Sequence, residues 1–198
     1  VGSKAEKADP IIVHADVRRM LLNMKSLPEA GRDFNTYVAM QLDMSEYADD
    51  ADLKQKHGTL AALLTPIAKA FSTDMGLDIC VAGQQSFGGH GFIREWGQEQ
   101  LVRDVRISQI YEGTNGIQAL DLVGRKIVGS GGAFYKLFAD EIRHFTATAS
   151  ADLGDFTNPL NAAVNTLAEL TSRLLHRAKN NPTEPGATAV HMPPTFAY

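Results

Sequence analysis

A single cysteine, Cys80, is the whole thiol complement of this chain. One thiol can neither close an internal disulfide nor supply a cysteine-based zinc site, and a reducing cytoplasm is the expected setting. Long apolar runs are missing as well. The stretch 60–64 is typical of the longest, far short of the roughly 20 residues that cross a bilayer, so no membrane span is expected. There is no basic excess. Nineteen Lys and Arg stand against twenty-three Asp and Glu, for a formal net charge of -4. A nucleic-acid surface would need a basic stripe, and no nucleic-acid partner is expected. No charged-then-apolar leader opens the sequence, although a chain starting in mid-protein would have lost one. The histidines at 14, 57, 90, 144, 176 and 191 show no metal-ligand spacing, so no metal site is predicted. β-type alternation and internal repeats are also lacking.

What remains is helical periodicity. Hydrophobic residues make up 44% of the 198, enough for one domain with a sizeable core or one domain plus part of a second. Val13, Val17, Met20, Leu21, Met24 and Leu27 recur at three- and four-residue steps, which places them on one helical face. The pattern resumes at Phe34, Val38 and Leu42 after Pro28, where a kink or break is expected. Asp49, Asp50 and Asp52 mark a turn and candidate N-caps. Leu60, Leu63, Leu64, Ile67, Phe71, Met75 and Ile79 form a second stripe. Pro66 should bend it or start a new helix there, with Thr65 as the cap. Residues 98–110 read as a shorter helix with Leu101, Val105 and Ile110 inward, and 115–128 as another, capped by Thr114. Gly129-Ser130-Gly131-Gly132 reads as a linker. Two more helices follow, over 134–148 and 159–179. The tail from Asn180 reads as loop or disorder. The predicted fold class is all-α: an antiparallel helical bundle with additional C-terminal helices. The domain reading is a bundle over 1–128, the linker 129–132, and a helical extension over 133–198.

Three segments break the helical pattern or carry polar groups in unusual company. The first is Gln84-Gln85-Ser86-Phe87-Gly88-Gly89-His90-Gly91-Phe92, with three glycines in six residues between aromatic anchors. That composition ends a helix and builds a tight turn with close backbone approach. Arg103-Asp104-Val105-Arg106-Ile107 follows, and then Ile110-Tyr111-Glu112-Gly113-Thr114-Asn115. Read from composition alone, Glu112 is a solvated charge at a helix terminus and the glycine turn a plain helix end. Trp96, Phe87 and Phe92 read as core anchors for the turn, His90 as a solvated loop histidine, and Cys80 as an inert buried thiol.

In this order and spacing the three segments resemble the acyl-CoA dehydrogenase family, over residues 10–128. From Gly129 onward the chain is similar to the extra helical segment of a longer subgroup, which includes enzymes acting on 3-methylthiopropanoyl-CoA. Removing a proton α to a thioester carbonyl needs a positioned base and stabilisation of the developing enolate. The resemblance implies that Glu112 is the catalytic base, taking the α proton while the β hydrogen leaves as hydride to N5 of FAD. It further implies that the Glu112 backbone N–H bonds the thioester oxygen. Tyr111 and Gly113 would help bind substrate, and Glu112 would be aimed inward. Gln85, Gly88 and Gly89 match positions that contact the FAD of a neighbouring subunit. Thr114 and Asn115 open a helix near adenosine-diphosphate atoms, a favourable place for an anion. Many members carry a polar, FAD-touching side chain two residues after that threonine; Gly116 stands here instead, so that contact should be missing or made by backbone. Arg103 and Asp104 read as structural bridges between helices or subunits. Arg106 reads either as a phosphate-positioning group or as a surface ion pair.

The resemblance also implies partners and absences. Acyl-CoA would be the substrate, an electron-transfer flavoprotein the electron acceptor, and a homo-oligomer, dimer or tetramer, the assembly. The middle β-domain and the first helix of the usual bundle have no counterpart here, so the chain reads as a fragment of a longer enzyme, inactive or nearly so by itself. Rival readings are an acyl-CoA oxidase-type flavoenzyme and a non-catalytic helical oligomerisation module.

Overall fold

The computed structural model describes residues 8–190, and every regular element among them is helical. The long helices are α1 (Ala15–Tyr47) and α2 (Ala51–Ser86). Shorter ones follow: α3 (Gln98–Arg106), α4 (Asn115–Leu120), α5 (Ala133–Thr148), α6 (Gly154–Asn180) and α7 (Glu184–Ala189). A π-helical segment, Asp121–Val128, continues directly from α4. No described helix is long and apolar enough to cross a membrane, and no described cluster of three His, Cys, Asp or Glu could hold a metal.

The first stripe of the sequence extends further than its proline suggests. Val13, Val17, Met20, Met24, Leu27, Gly31, Phe34, Val38 and Gln41 are all buried or half-buried. Their steps alternate four and three, a seven-residue period, and from Val17 onward they run past Pro28 inside a single 33-residue helix. The expected break does not occur. A proline deletes one backbone hydrogen bond of a long ladder, and the apolar seam on both sides of Pro28 holds the helix together. Leu21 and Leu42 fall off the seam, at 39% and 52% exposure. Asp50 caps α2, its Oδ1 accepting from the backbone N–H of Asp52 at 2.7 Å and of Leu53 at 3.0 Å. Pro66 is likewise accommodated within α2 and buried. Thr65 does not cap a new helix: its hydroxyl donates to the carbonyl of Ala61, one turn back, at 2.7 Å.

The residues group into two compact units. The first takes the chain up to Asn35 together with Ser72–Glu112; the second takes Thr36–Phe71 together with everything from Gly113. Within the first, α1 and α2 lie antiparallel, since Gly31 meets Met75 and Gly83 lies near Met24. Asn35 Nδ2 donates to Ser72 Oγ at 3.4 Å.

The second unit holds the dense core. Leu63, Ala119, Leu122, Val123, Ile127, Leu174 and Ala189 form one cluster, with Phe134 and Phe138 packed against it. Tyr135, Ala139 and Val164 form another between α5 and α6, and the Tyr135 hydroxyl donates to the carbonyl of Val164. Burial pushes that phenol up from its ordinary pKa, with Arg143 opposing. A polar tie joins three helices of the unit. Tyr37 Oη donates to Glu141 Oε1 at 2.7 Å, and Lys56 lies 3.4 Å from Glu141 Oε2. Burial, reinforced by the Glu141 carboxylate, drives the Tyr37 pKa far up. Nearby, Gln41 is 1% exposed, with its Oε1 2.7 Å from His57 Nδ1.

Gly129-Ser130-Gly131-Gly132 is a turn within this unit, and residues on both sides of it reach the same core cluster. Between Asn180 and Val190 the chain is not the loop that its sequence suggests. It folds back as α7, ties Glu184 to Arg177 at 3.1 Å, and buries Ala189 to 3% exposure. One small apolar residue in a core cluster outweighs weak local periodicity. His191 and the residues after it lie outside the described part.

Candidate functional site

In the first unit, α2 ends at Ser86 and the chain enters a short 3-10 turn, Gly88–Phe92. Gln85 is exposed on the last turn of α2, and Gly88 and Gly89 are exposed in the 3-10 turn. A side chain added at Gly88 or Gly89 would meet nothing within 4 Å, although Gly88 has a left-handed φ of 60°. The backbone there is open to close approach by a ligand. Gly91 is different. It is buried, and a Cβ there would sit 2.2 Å from the carbonyl oxygen of Gln84.

The aromatic residues do not anchor this turn. Phe92 is 82% exposed, Trp96 56% and Phe87 47%. His90 packs edge-on against Trp96, with ring centroids 5.0 Å apart. Cys80 is half-buried rather than fully enclosed, and burial raises its pKa. Its carbonyl accepts from Gln98 Nε2 at 3.1 Å.

The next segment begins with α3. Val105 packs toward Gly76, but Leu101 and Ile110, expected inward, are about half exposed. In this nine-residue helix only part of the apolar face is covered by the described residues. Arg103 and Arg106 lie in the last turn, where cations complement the helix dipole. Asp104 accepts from Gln100 Nε2 of its own helix at 2.6 Å, so its contact within the chain is not the expected bridge between helices.

After α3 a 3-10 turn, Ile107–Gln109, carries the chain to Tyr111, whose N–H bonds the Ile107 carbonyl at 3.1 Å. Glu112 then has φ 57°, the only left-handed non-glycine residue among those described. That conformation costs an L-residue about 1–2 kcal/mol. Gly113 follows at φ 81°. Two left-handed residues in succession reverse the chain sharply and lift Tyr111 and Glu112 onto the exposed surface. Glu112 thus stands at the surface of the described residues, in the bend between α3 and α4.

In the second unit Gly113 sits close to α4, since a Cβ there would approach Gln118 Nε2 to 3.1 Å. Thr114 caps α4, its hydroxyl accepting from the Ile117 N–H at 3.3 Å. Asn115 is tied to α2: its Oδ1 accepts from Lys69 Nζ at 2.7 Å, and its Nδ2 donates to the Ala70 carbonyl at 3.4 Å. Gly116 leaves room for a side chain, the nearest atom to a Cβ being Thr114 Oγ1 at 3.7 Å. Residues 111–115 are joined by the chain path itself, while Gln85, Gly88 and Gly89 share the first unit with Arg106, Tyr111 and Glu112.

Sequence reasoning passed over Lys69, and it quoted Gln84 and Gly91 in the glycine motif without giving either a role of its own. The glycine spacing offered a signal for Gly91. Nothing in the pattern ties Lys69 to a residue 46 positions away.

Comparison with known proteins gives a consistent answer. Residues 2–127 match the family described as "Acyl-CoA dehydrogenase, C-terminal domain". The chain is 42% identical over 142 residues to a 3-methylmercaptopropionyl-CoA dehydrogenase of Ruegeria pomeroyi, covering 72% of this chain and 24% of that protein. It is 37% identical over 137 residues to a butyryl-CoA dehydrogenase of Syntrophomonas wolfei, covering 69% of this chain and 22% of that protein. A broad-specificity linear acyl-CoA dehydrogenase of Mycobacterium tuberculosis is 30% identical over 146 residues, 70% of this chain and 23% of its own length. The chain thus spans about a quarter of the length of these relatives. With most of its length matched by the family's helical C-terminal domain and an all-helical fold to correspond, the chain belongs to the acyl-CoA dehydrogenase family.

Proposed function

We propose that the protein carrying this chain is an FAD-dependent acyl-CoA dehydrogenase that desaturates an acyl-CoA thioester between its α and β carbons, with Glu112 as the base. The observation that carries this reading is the left-handed backbone at Glu112. A strained non-glycine residue persists only where the surrounding structure over-determines it, and such residues cluster at active sites. The strain falls on the one carboxylate between α3 and α4. Gly113 beside it, itself left-handed at φ 81°, completes the bend. Glu112 would take the α proton onto its carboxylate, and its backbone N–H would bond the thioester oxygen. Tyr111 and Gly113 would line the acyl site, and Arg106 would meet a phosphate of the CoA moiety.

The residues present fit a flavin. In the first unit Gly88 and Gly89 offer exposed backbone with no obstruction to a ligand and Gln85 adds an amide at the end of α2; in the second unit, taken by itself, Thr114 and Asn115 open α4. When bound, FAD would supply the hydride acceptor at N5. Electrons would then pass to an electron-transfer flavoprotein, in a homo-oligomeric enzyme of the cytoplasm. On this reading residues 1–128 form the family domain, 129–132 its connection, and 133–198 part of an extension. The isolated chain would be inactive or nearly so.

The test uses the full-length protein, an acyl-CoA panel and an artificial electron acceptor. Glu112→Gln should lower turnover by about a hundredfold or more while flavin absorbance and folding are kept. A wild-type protein without flavin, or a variant of undiminished rate, would sink the proposal. Rapid flavin reoxidation by oxygen would favour the oxidase alternative. The exposed Phe92, Trp96, Leu101 and Ile107 favour an assembly role for the same unit, and that role alone would leave Glu112→Gln without effect.

A further inference from the structure

Gly91 is the one buried residue in a turn whose other members are exposed. Its α-carbon lies against the last turn of α2 so closely that a Cβ would fall 2.2 Å from the Gln84 oxygen and 3.0 Å from Phe87 Cβ. The same Gln84 reaches back with its side chain, and Nε2 donates to the Gly91 carbonyl at 3.2 Å. Residue 84 therefore holds residue 91 twice, by backbone contact and by a side-chain hydrogen bond. Further backbone bonds brace the ends of the segment: Phe87 N–H to the Gly83 carbonyl at 3.2 Å, and Ile93 N–H to the His90 carbonyl at 3.1 Å. Gly88 and Gly89 make no comparable demand, because nothing lies within 4 Å of a Cβ at either. The three glycines thus divide by role. Gly91 serves the seating of the turn, and Gly88 and Gly89 leave its outer backbone bare.

We propose that Gln84 and Gly91 form a clamp whose task is to fix where the open Gly88-Gly89 backbone stands, making them positioning residues for the flavin site rather than contacts to flavin. This rests on the functional reading above. A glycine turn without aromatic anchoring would otherwise drift on the end of α2, and a ligand that needs backbone N–H groups at fixed positions would lose affinity with every such excursion.

Gln84→Met tests it in the full-length protein, since methionine keeps the length of the side chain and removes the amide donor. FAD affinity of the apoprotein, followed by flavin fluorescence, should weaken by about three- to tenfold, the worth of one hydrogen bond. Hydrogen exchange of the amides in 88–93 should quicken by a similar factor. Thermal unfolding of the apoprotein should be unchanged. Gly91→Ala should weaken FAD binding more severely. Gly89→Ala, which has room for its methyl group, should leave unfolding and exchange at the wild-type level. If Gln84→Met keeps wild-type exchange in 88–93, or binds FAD as tightly as wild type, the clamp is not a positioning device. A lowered unfolding temperature that accounts for the whole affinity loss would overturn it equally, reducing Gln84 to a stability contact. A wild-type protein that binds no FAD would instead remove the flavin reading, while faster exchange in Gln84→Met would still show the clamp.

Discussion

The second unit buries Leu60, Leu63, Leu64, Val123 and Ile127 to 1% exposure or less, whereas in the first unit Met20 and Met75 are the only buried apolar side chains among the described residues. The first unit instead shows solvent Phe87, Phe92, Trp96, Leu101, Ile107 and Tyr111. These residues are as hydrophobic as those of the second unit's core, but among the described residues they are left half or more exposed, or nearly so. The unit with the glycine turn and the strained carboxylate is therefore the one that stabilises itself least. On the proposed function this is a division of labour: residues that meet a ligand or another protein surface cannot also be spent on a private core.

Substitutions can break or sharpen this contrast. Leu63→Ala in the second unit should show the largest effect, a loss of about 2–5 kcal/mol in denaturant unfolding, from lost transfer energy and the cavity left behind. Tyr37→Phe should cost about 1–3 kcal/mol, because it leaves the half-buried Glu141 short of a donor. It should also change the alkaline limb. The folded-state pKa of Tyr37 lies above the ordinary value of 10.0. Its contribution is complete below that value and fades as pH rises toward the folded pKa, because the unfolded chain ionises first. Wild-type stability should fall above about pH 10 more steeply than that of the variant, which chemical denaturation across the alkaline range would register. Glu112→Gly should relieve about 0.5–1 kcal/mol of left-handed strain in the backbone term and, on the proposed function, abolish turnover of the full-length protein. A loss of stability there would remove strain as the mark of the site. Trp96→Ala should be smallest, within about 0.5 kcal/mol in the isolated chain. A large loss at Trp96 would mean that the first unit has a core after all.

Helices and the order of the motifs were legible because both are local. The four-three spacing from Val13 to Val38 specifies one buried seam wherever its partner lies, and the glycine run marks a turn by composition. Pro28 and Pro66 misled because a local penalty of one hydrogen bond was set against packing that the pattern could not show. Ala189 was missed for the mirror reason: its place in the core depends on Leu63 and Ala119, far away in sequence. At the candidate site, residue types were readable and conformation was not. No propensity rule puts a glutamate at φ 57°. The inward placement of Trp96 and Phe92 failed because the sequence marks which residues are apolar without saying whether their cover lies in the same chain.

The π-helical run Asp121–Val128 has a consequence for how this region tolerates change. Its amides reach five residues back, as when the Gly129 N–H meets the Gly124 carbonyl at 2.9 Å, so each of its turns is wider than an α-turn. Val123 and Ile127, both at 0% exposure, hold their places in this widened run between Thr114 and the turn at 129–132. Removing one residue would let the wide turns tighten to α-geometry and take up the loss, whereas adding one, which the already widened turns cannot absorb, would turn everything after it by about 100° about the axis and carry Ile127 out of its seat. An upper limit on length, more than composition, is what this stretch has to keep.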